Sequence, residues 1–128
     1  MEEKSPKTFT PSDVIAALLT FLPSSFSNDP AKIHTTIAQL QKKEEYRDLL
    51  EDFEFLDYDP YPYSPLLGRI LNQLQEARLL SSLNPGYEKY VTTEPSIKAI
   101  KADILNKKLK DKKGKLEEIA SELIKALR

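Results

Sequence analysis

The stretch SPLLGRILNQLQEARLLSSLNPGYEKYVTTEP, residues 64–95, decides the fold, because several independent local signals agree within it. Ser64 can accept a hydrogen bond from the first free backbone N–H groups of a helix, and Pro65 has its φ preset and no N–H to leave unsatisfied. Leu67, Ile70, Leu71, Leu74 and Ala77 recur at helical spacing, while Arg69, Asn72, Gln73 and Glu76 fall on the opposite face. The spacing predicts an amphipathic helix that the chain leaves at Leu79 and Leu80. Asn84-Pro85-Gly86 is a turn signal, and Tyr87, Tyr90, Val91, Thr92 and Thr93 suit a strand, so a β-hairpin is expected directly after the helix.

Working outward toward the N-terminus, residues 1–8 are polar and read as a loose end. Thr10 or Ser12 caps a first helix over residues 13–22, with Val14, Ile15, Leu18, Leu19 and Leu22 as its apolar face and Pro23 closing it. Residues 24–29 read as a connector. Asp29 caps, and Pro30 opens, a second helix that buries Ile33, Ile37 and Leu40. Residues 44–50 continue as a short helical turn pointing Tyr46, Leu49 and Leu50 inward. Phe53-Glu54-Phe55-Leu56 alternates, so it is either a small strand pairing with the hairpin or a set of aromatic anchors; both readings bury Phe53 and Phe55. Pro60 and Pro62 keep residues 58–63 extended, with three tyrosines read as packed over the neck of the domain; the alternative is a binding surface beside the acids.

Beyond the hairpin, Ser96 is placed to cap a last helix with Ile97, Ile100, Ile104 and Leu105 on one side. Leu109, Leu116 and Leu123 continue at intervals of seven, joined by Ile119, Ile124 and Leu127, which makes a heptad-like stripe. Lys112 and Gly114 interrupt it, and a bend or break is expected over residues 111–114. The stripe carries more apolar surface than a small domain covers, which predicts a homodimer; the alternative is that it folds back on the first helix of its own chain. The resulting organisation is a domain over residues 1–95 and a C-terminal helical extension over 96–128 that mediates dimerisation.

At 128 residues the chain has room for one core, and its lack of cysteine excludes disulfides, thiol catalysis and Cys-based zinc sites. Its longest mainly apolar run, residues 14–22, is far below the roughly 20 residues that span a bilayer, so no membrane segment and a cytoplasmic location are expected. The net charge of −1 hides two blocks. Residues 44–59 hold eight acids against Arg47, and residues 97–115 hold eight lysines against Asp103 and Asp111. Such separation pairs domains or subunits, or attracts polyanions; the alternative for the lysines is a solvated helix face.

Enzyme chemistry finds little support. His34, the single histidine, follows Ile33 on an expected surface helix and reads as a solvated or capping residue. There is no nucleophile elbow and no phosphate-cradling glycine loop, and Glu54, Asp57 and Asp59 lack the glycine and distal glutamate of a calcium loop. No cofactor or metal is expected.

Tyr63-Ser64-Pro65, Leu71 and Leu74, Glu76-Ala77-Arg78-Leu79-Leu80, then Tyr87, Tyr90 and Thr92-Thr93 resemble the recognition helix and wing of winged helix-turn-helix regulators, including the PadR-like group. The resemblance covers about residues 61–105. It departs at Ala77, where that group commonly has glycine, and in the wing, where Lys89 is the only basic residue. It implies a mainly α fold with a small β-hairpin, a C-terminal dimerisation helix and binding of double-stranded DNA as a transcriptional regulator. The exposed face of the helix beginning after Ser64 would then enter the major groove, with Arg69 reading guanine, Asn72 or Gln73 reading adenine, and Ser64 or the helix N-terminus taking a phosphate. Residues 64–95 carry three basic and three acidic side chains, so Lys89 and the lysines after Ile97, Lys107 and Lys108 among them, are the expected source of further positive charge. The competing reading is a winged-helix protein-interaction or assembly module without DNA binding, in which the acidic block of one subunit meets the lysine block of another.

Overall fold

A computed structural model describes residues 9–57, 60–82 and 89–127. Of the two candidate caps, Thr10 starts the first helix, α1 (Pro11–Leu19): its hydroxyl accepts from Asp13 N at 3.2 Å, and the Asp13 carboxylate accepts from Thr10 N at 2.9 Å. This reciprocal pair satisfies two N–H groups that an open helix end leaves bare. Asp29 caps α2 (Pro30–Gln41) in the same manner, its Oδ1 accepting from Ala31 N at 2.9 Å. A 3₁₀ turn (Glu44–Tyr46) leads into the single-turn α3 (Arg47–Leu50), which buries Tyr46, Leu49 and Leu50. The Gln41 side-chain amide then donates to the carbonyls of Leu50 and Phe53 and fixes the exit of that turn.

The third strand of the sheet comes from the segment expected to be a connector. Ser25–Ser27 forms β1, which pairs antiparallel with β3 (Lys89–Val91), and β3 pairs with β2 (Ser81–Ser82), giving the order β1-β3-β2. The register sets Ser25 opposite Val91, Phe26 opposite Tyr90 and Ser27 opposite Lys89 on one side, with Ser81 opposite Val91 on the other. Phe26 points inward and meets the Tyr90 ring edge-on, with centroids 5.8 Å apart. Phe53-Glu54-Phe55-Leu56 does not join this sheet. Phe53 is buried, Phe55 is half-buried, and Leu56 pairs only with Tyr63 through two backbone hydrogen bonds of 2.8 and 3.0 Å. The Asn84-Pro85-Gly86 turn and Tyr87 lie outside the described residues, as do Tyr58 and Asp59.

Helix α4 (Pro65–Glu76) follows Ser64 as expected, with Leu67, Ile70, Leu71 and Leu74 buried. After the sheet, the last helical region begins earlier than Ser96: Thr93 is the cap of α5 (Glu94–Ile100), and Pro95 occupies the first turn. A π-helical turn (Lys101–Leu105) and a 3₁₀ turn (Lys110–Lys112) separate α5 from α6 (Lys113–Ala126). The fold is thus 62 % helical with a three-stranded antiparallel sheet, mainly α with a small β component and a C-terminal helix.

That C-terminal helix is part of the core. α6 packs on α1 and α2, and Leu109, Leu116 and Leu123 are 0, 0 and 4 % exposed. The heptad-spaced leucines expected to meet a second copy are covered by their own chain, so no partner can use them without opening this core. One apolar cluster runs from Val14 to Leu123, and residues 96–128 share it with the preceding ones instead of standing apart as an extension.

The charged blocks also meet within the chain. Lys112, which interrupts the leucine stripe, bonds to the Asp48 carboxylate, and Lys115 approaches the same group at 3.9 Å. Burial alone would raise the Asp48 pKa, but the hydrogen bond and charge of Lys112, with Lys115 behind, hold it below the usual 3.8. Tyr46 donates from its hydroxyl to Glu118 at 2.8 Å; burial and that carboxylate push its pKa up to about 12. Through Asp48, the acidic block meets Lys112 and Lys115 of the lysine block across one core.

Candidate nucleic-acid interface

Helix α4 has two faces of opposite character. With Leu67, Ile70, Leu71 and Leu74 inward, the residues left outward are Pro65, Arg69, Asn72, Gln73 and Glu76, and all five are exposed. An arginine fork and two side-chain amides on one stripe are the donors and acceptors that pair with guanine and adenine edges.

The helix is held at both ends. At its N-terminus, Ser64 is fully buried; its Oγ accepts from Leu67 N at 3.1 Å and its own N–H donates to His34 Nδ1 at 3.1 Å. Ser64 is therefore a structural cap, worth about 1 kcal/mol to the helix, and its fully buried hydroxyl is out of reach of a phosphate. This overturns its expected role, and with Pro65 lacking an N–H the helix start is largely closed as an anion site.

His34 differs from expectation too, because it is buried at 2 % exposure. Its ring stacks on Tyr63 with centroids 4.6 Å apart and meets Tyr61 at 5.9 Å and Phe55 at 6.5 Å. Burial lowers its pKa from 6.5, which keeps Nδ1 an unprotonated acceptor for the Ser64 N–H. Tyr61 and Tyr63 are thus used for packing, and Tyr63 presses closely on α4: a Cβ on Gly68 would lie 2.5 Å from the Tyr63 hydroxyl oxygen. The signal for His34 was present in α2 as a second stripe, His34, Ala38 and Gln41 at i, i+4 and i+7, beside the apolar one.

At its C-terminus α4 closes with paired reverse bonds, Leu79 N to Leu74 O at 2.9 Å and Arg78 N to Gln75 O at 3.0 Å. The left-handed residue this closure requires is Arg78, with φ 63°, not Ala77, which keeps right-handed helical angles. A side chain in that region costs roughly 1–2 kcal/mol relative to a relaxed backbone. Arg78 is exposed, and sequence reasoning had no role for it. The Ser82 hydroxyl then donates to Gln75 Oε1 at 3.0 Å and ties β2 back to the helix.

Lys89 is exposed at the start of β3, on the sheet that α4 leads into. Lys107 and Lys108 are exposed but belong elsewhere: the preceding π-helical turn packs on α5 and α1, and Lys108 pairs with Asp13 in the first turn of α1 at 3.5 Å. The structure therefore joins Arg69, Asn72 and Gln73 on one surface, attaches Lys89 through the sheet, and places the two lysines beside α1. Among the described residues, no group of three or more His, Asp or Glu could hold a metal ion, and no helix is long and apolar enough to cross a membrane.

Compared with protein-family models, curated proteins and solved structures, the chain matches none.

Proposed function

We propose that the protein binds double-stranded DNA as a winged-helix regulator, with α4 as the helix that enters the major groove. The observation that carries this reading is the exposed Arg69, Asn72 and Gln73 stripe on a helix fixed at both ends, by His34 and Ser64 at its start and by Arg78 and Ser82 at its end. The element order supports it: α1, β1, α2, the single-turn α3, α4, β2 and β3, with β2 and β3 following α4 directly and β1 pairing beside β3. Arg69 pairs with guanine O6 and N7, Asn72 or Gln73 with adenine, and Lys89 supplies a phosphate contact from the sheet. The interaction-module reading loses its main motive, since Asp48 already meets Lys112 and Lys115 within one chain.

The test is binding of the purified protein to duplex DNA of random sequence from about 50 to about 200 mM salt, where counterion release makes affinity fall steeply. Arg69→Ala is expected to weaken binding. A salt slope that flattens in the Lys107/Lys108→Ala variant would extend the contact to the α1 side of the molecule. Absence of binding at about 50 mM salt refutes the proposal.

A further inference from the structure

We infer that Arg78 is a ligand of the DNA backbone, and that α4 ends on an arginine in a left-handed conformation because its guanidinium is needed there for a phosphate. This rests on the DNA-binding reading of α4 and adds a residue to it. Among the described residues, Arg78 is the only one other than glycine with positive φ. The closure at this point needs a left-handed residue, and glycine would fill it without strain. An arginine kept at such a position calls for a gain outside the backbone, since strain of this kind persists where function uses it.

Complementing the negative end of the helix, a weak and solvent-screened effect at an exposed site, does not by itself offset that strain. The last turn of α4 contains no basic residue and ends in Glu76, the wrong sign for such a purpose, although positions there would carry a lysine or arginine with relaxed geometry. Nor does an ion pair, because none of those formed among the described residues includes Arg78, and its side chain is exposed. A charge that serves neither its own helix nor a neighbour is available to a partner.

Position supplies the partner's chemistry. The 12 residues of α4 span about 18 Å, whereas the major groove is about 12 Å wide. A helix seated in the groove through Arg69, Asn72 and Gln73 turns its C-terminal end out of the groove toward the flanking phosphates. Arg78 stands at that end, immediately before β2, and a planar guanidinium suits two phosphate oxygens at once.

The experiment compares the native protein with Arg78→Gly, Arg78→Asn and Arg78→Lys, measuring both the urea midpoint and affinity for random duplex DNA over a salt series. Glycine and asparagine both tolerate the left-handed backbone and lack the charge. The expected result is a raised midpoint for Arg78→Gly together with about 5- to 10-fold weaker binding and a log–log salt slope shallower by about 1, with the slope retained in Arg78→Lys. Weaker binding by a more stable variant excludes damage to the fold as the cause. If Arg78→Gly and Arg78→Asn bind as the native protein does while Arg69→Ala binds more weakly, the role of Arg78 is overturned and the α4 reading stands. If the native protein binds no duplex at about 50 mM salt, both are overturned.

Discussion

His34 makes stability depend on pH in a window no other group described above shares. Its Nδ1 accepts the Ser64 N–H at the start of α4, and burial lowers its pKa from 6.5. Folded chains therefore keep the ring neutral at a pH where unfolded chains take up a proton. The stabilisation is fully present above 6.5 and is lost as pH falls toward the depressed folded value. One proton bound in excess by the unfolded state gives a slope of up to about 1.4 kcal/mol per pH unit, so lowering the pH below 6.5 reduces stability until the depressed folded pKa is passed. Asp48 acts in a different range: its pKa lies below 3.8, and its contribution disappears only as pH falls through that lower value. The measurement is the urea midpoint by far-UV circular dichroism at half-unit pH steps, for the native protein and His34→Asn. Asparagine can still offer a carbonyl to the Ser64 N–H but does not titrate. It is expected to be less stable than native near pH 7, through lost stacking on Tyr63, yet flat between pH 6.5 and 5. A native midpoint that is flat over that window, or an equal slope in His34→Asn, refutes the reasoning.

Three further outcomes follow from the packing. Leu116→Ala should lower stability by about 2–5 kcal/mol in urea unfolding, because the side chain is fully buried between α6 and the rest of the core; a loss under about 1 kcal/mol would detach the C-terminal helix from that core. Gly114→Ala should raise the unfolding midpoint by about 0.5 kcal/mol, since a Cβ there meets nothing within 4 Å, and a lower midpoint would contradict that open space. Asp48→Ala should cost less than about 1 kcal/mol because its side chain is 37 % exposed, and the difference from native should shrink in high salt; a loss indifferent to salt would argue against the Lys112 and Lys115 pairs.

Features set by neighbours in sequence are the legible ones. Thr10, Asp29 and Ser64 are caps because a side-chain oxygen reaches an N–H two or three residues on, and the inward leucines of α4 follow from helical period alone. β1 is not legible this way, since Ser25-Phe26-Ser27 has no β-branched residue and becomes a strand only by pairing with Lys89–Val91. The seven-residue spacing of Leu109, Leu116 and Leu123 is real, but a stripe that suits a second copy suits α1 and α2 equally, and only the tertiary structure distinguishes them. In the candidate interface, Arg69, Asn72 and Gln73 were readable from periodicity. The role of His34 was not, because it arises from one hydrogen bond between distant segments, and Arg78 was missed because the helix was carried on to Leu79, past the point where it closes.

The packing of α6 on α1 and α2 also orders events during synthesis. The ribosome releases α4 well before Leu116, Ile119 and Leu123 exist to fill the space against α1 and α2. A nascent chain at that stage has the exposed stripe of α4 but an uncovered apolar floor, and closing it joins segments about a hundred residues apart, the slow kind of contact. A chain cut short within α6 therefore leaves α1 and α2 uncovered, and with α1 the floor on which α4 packs.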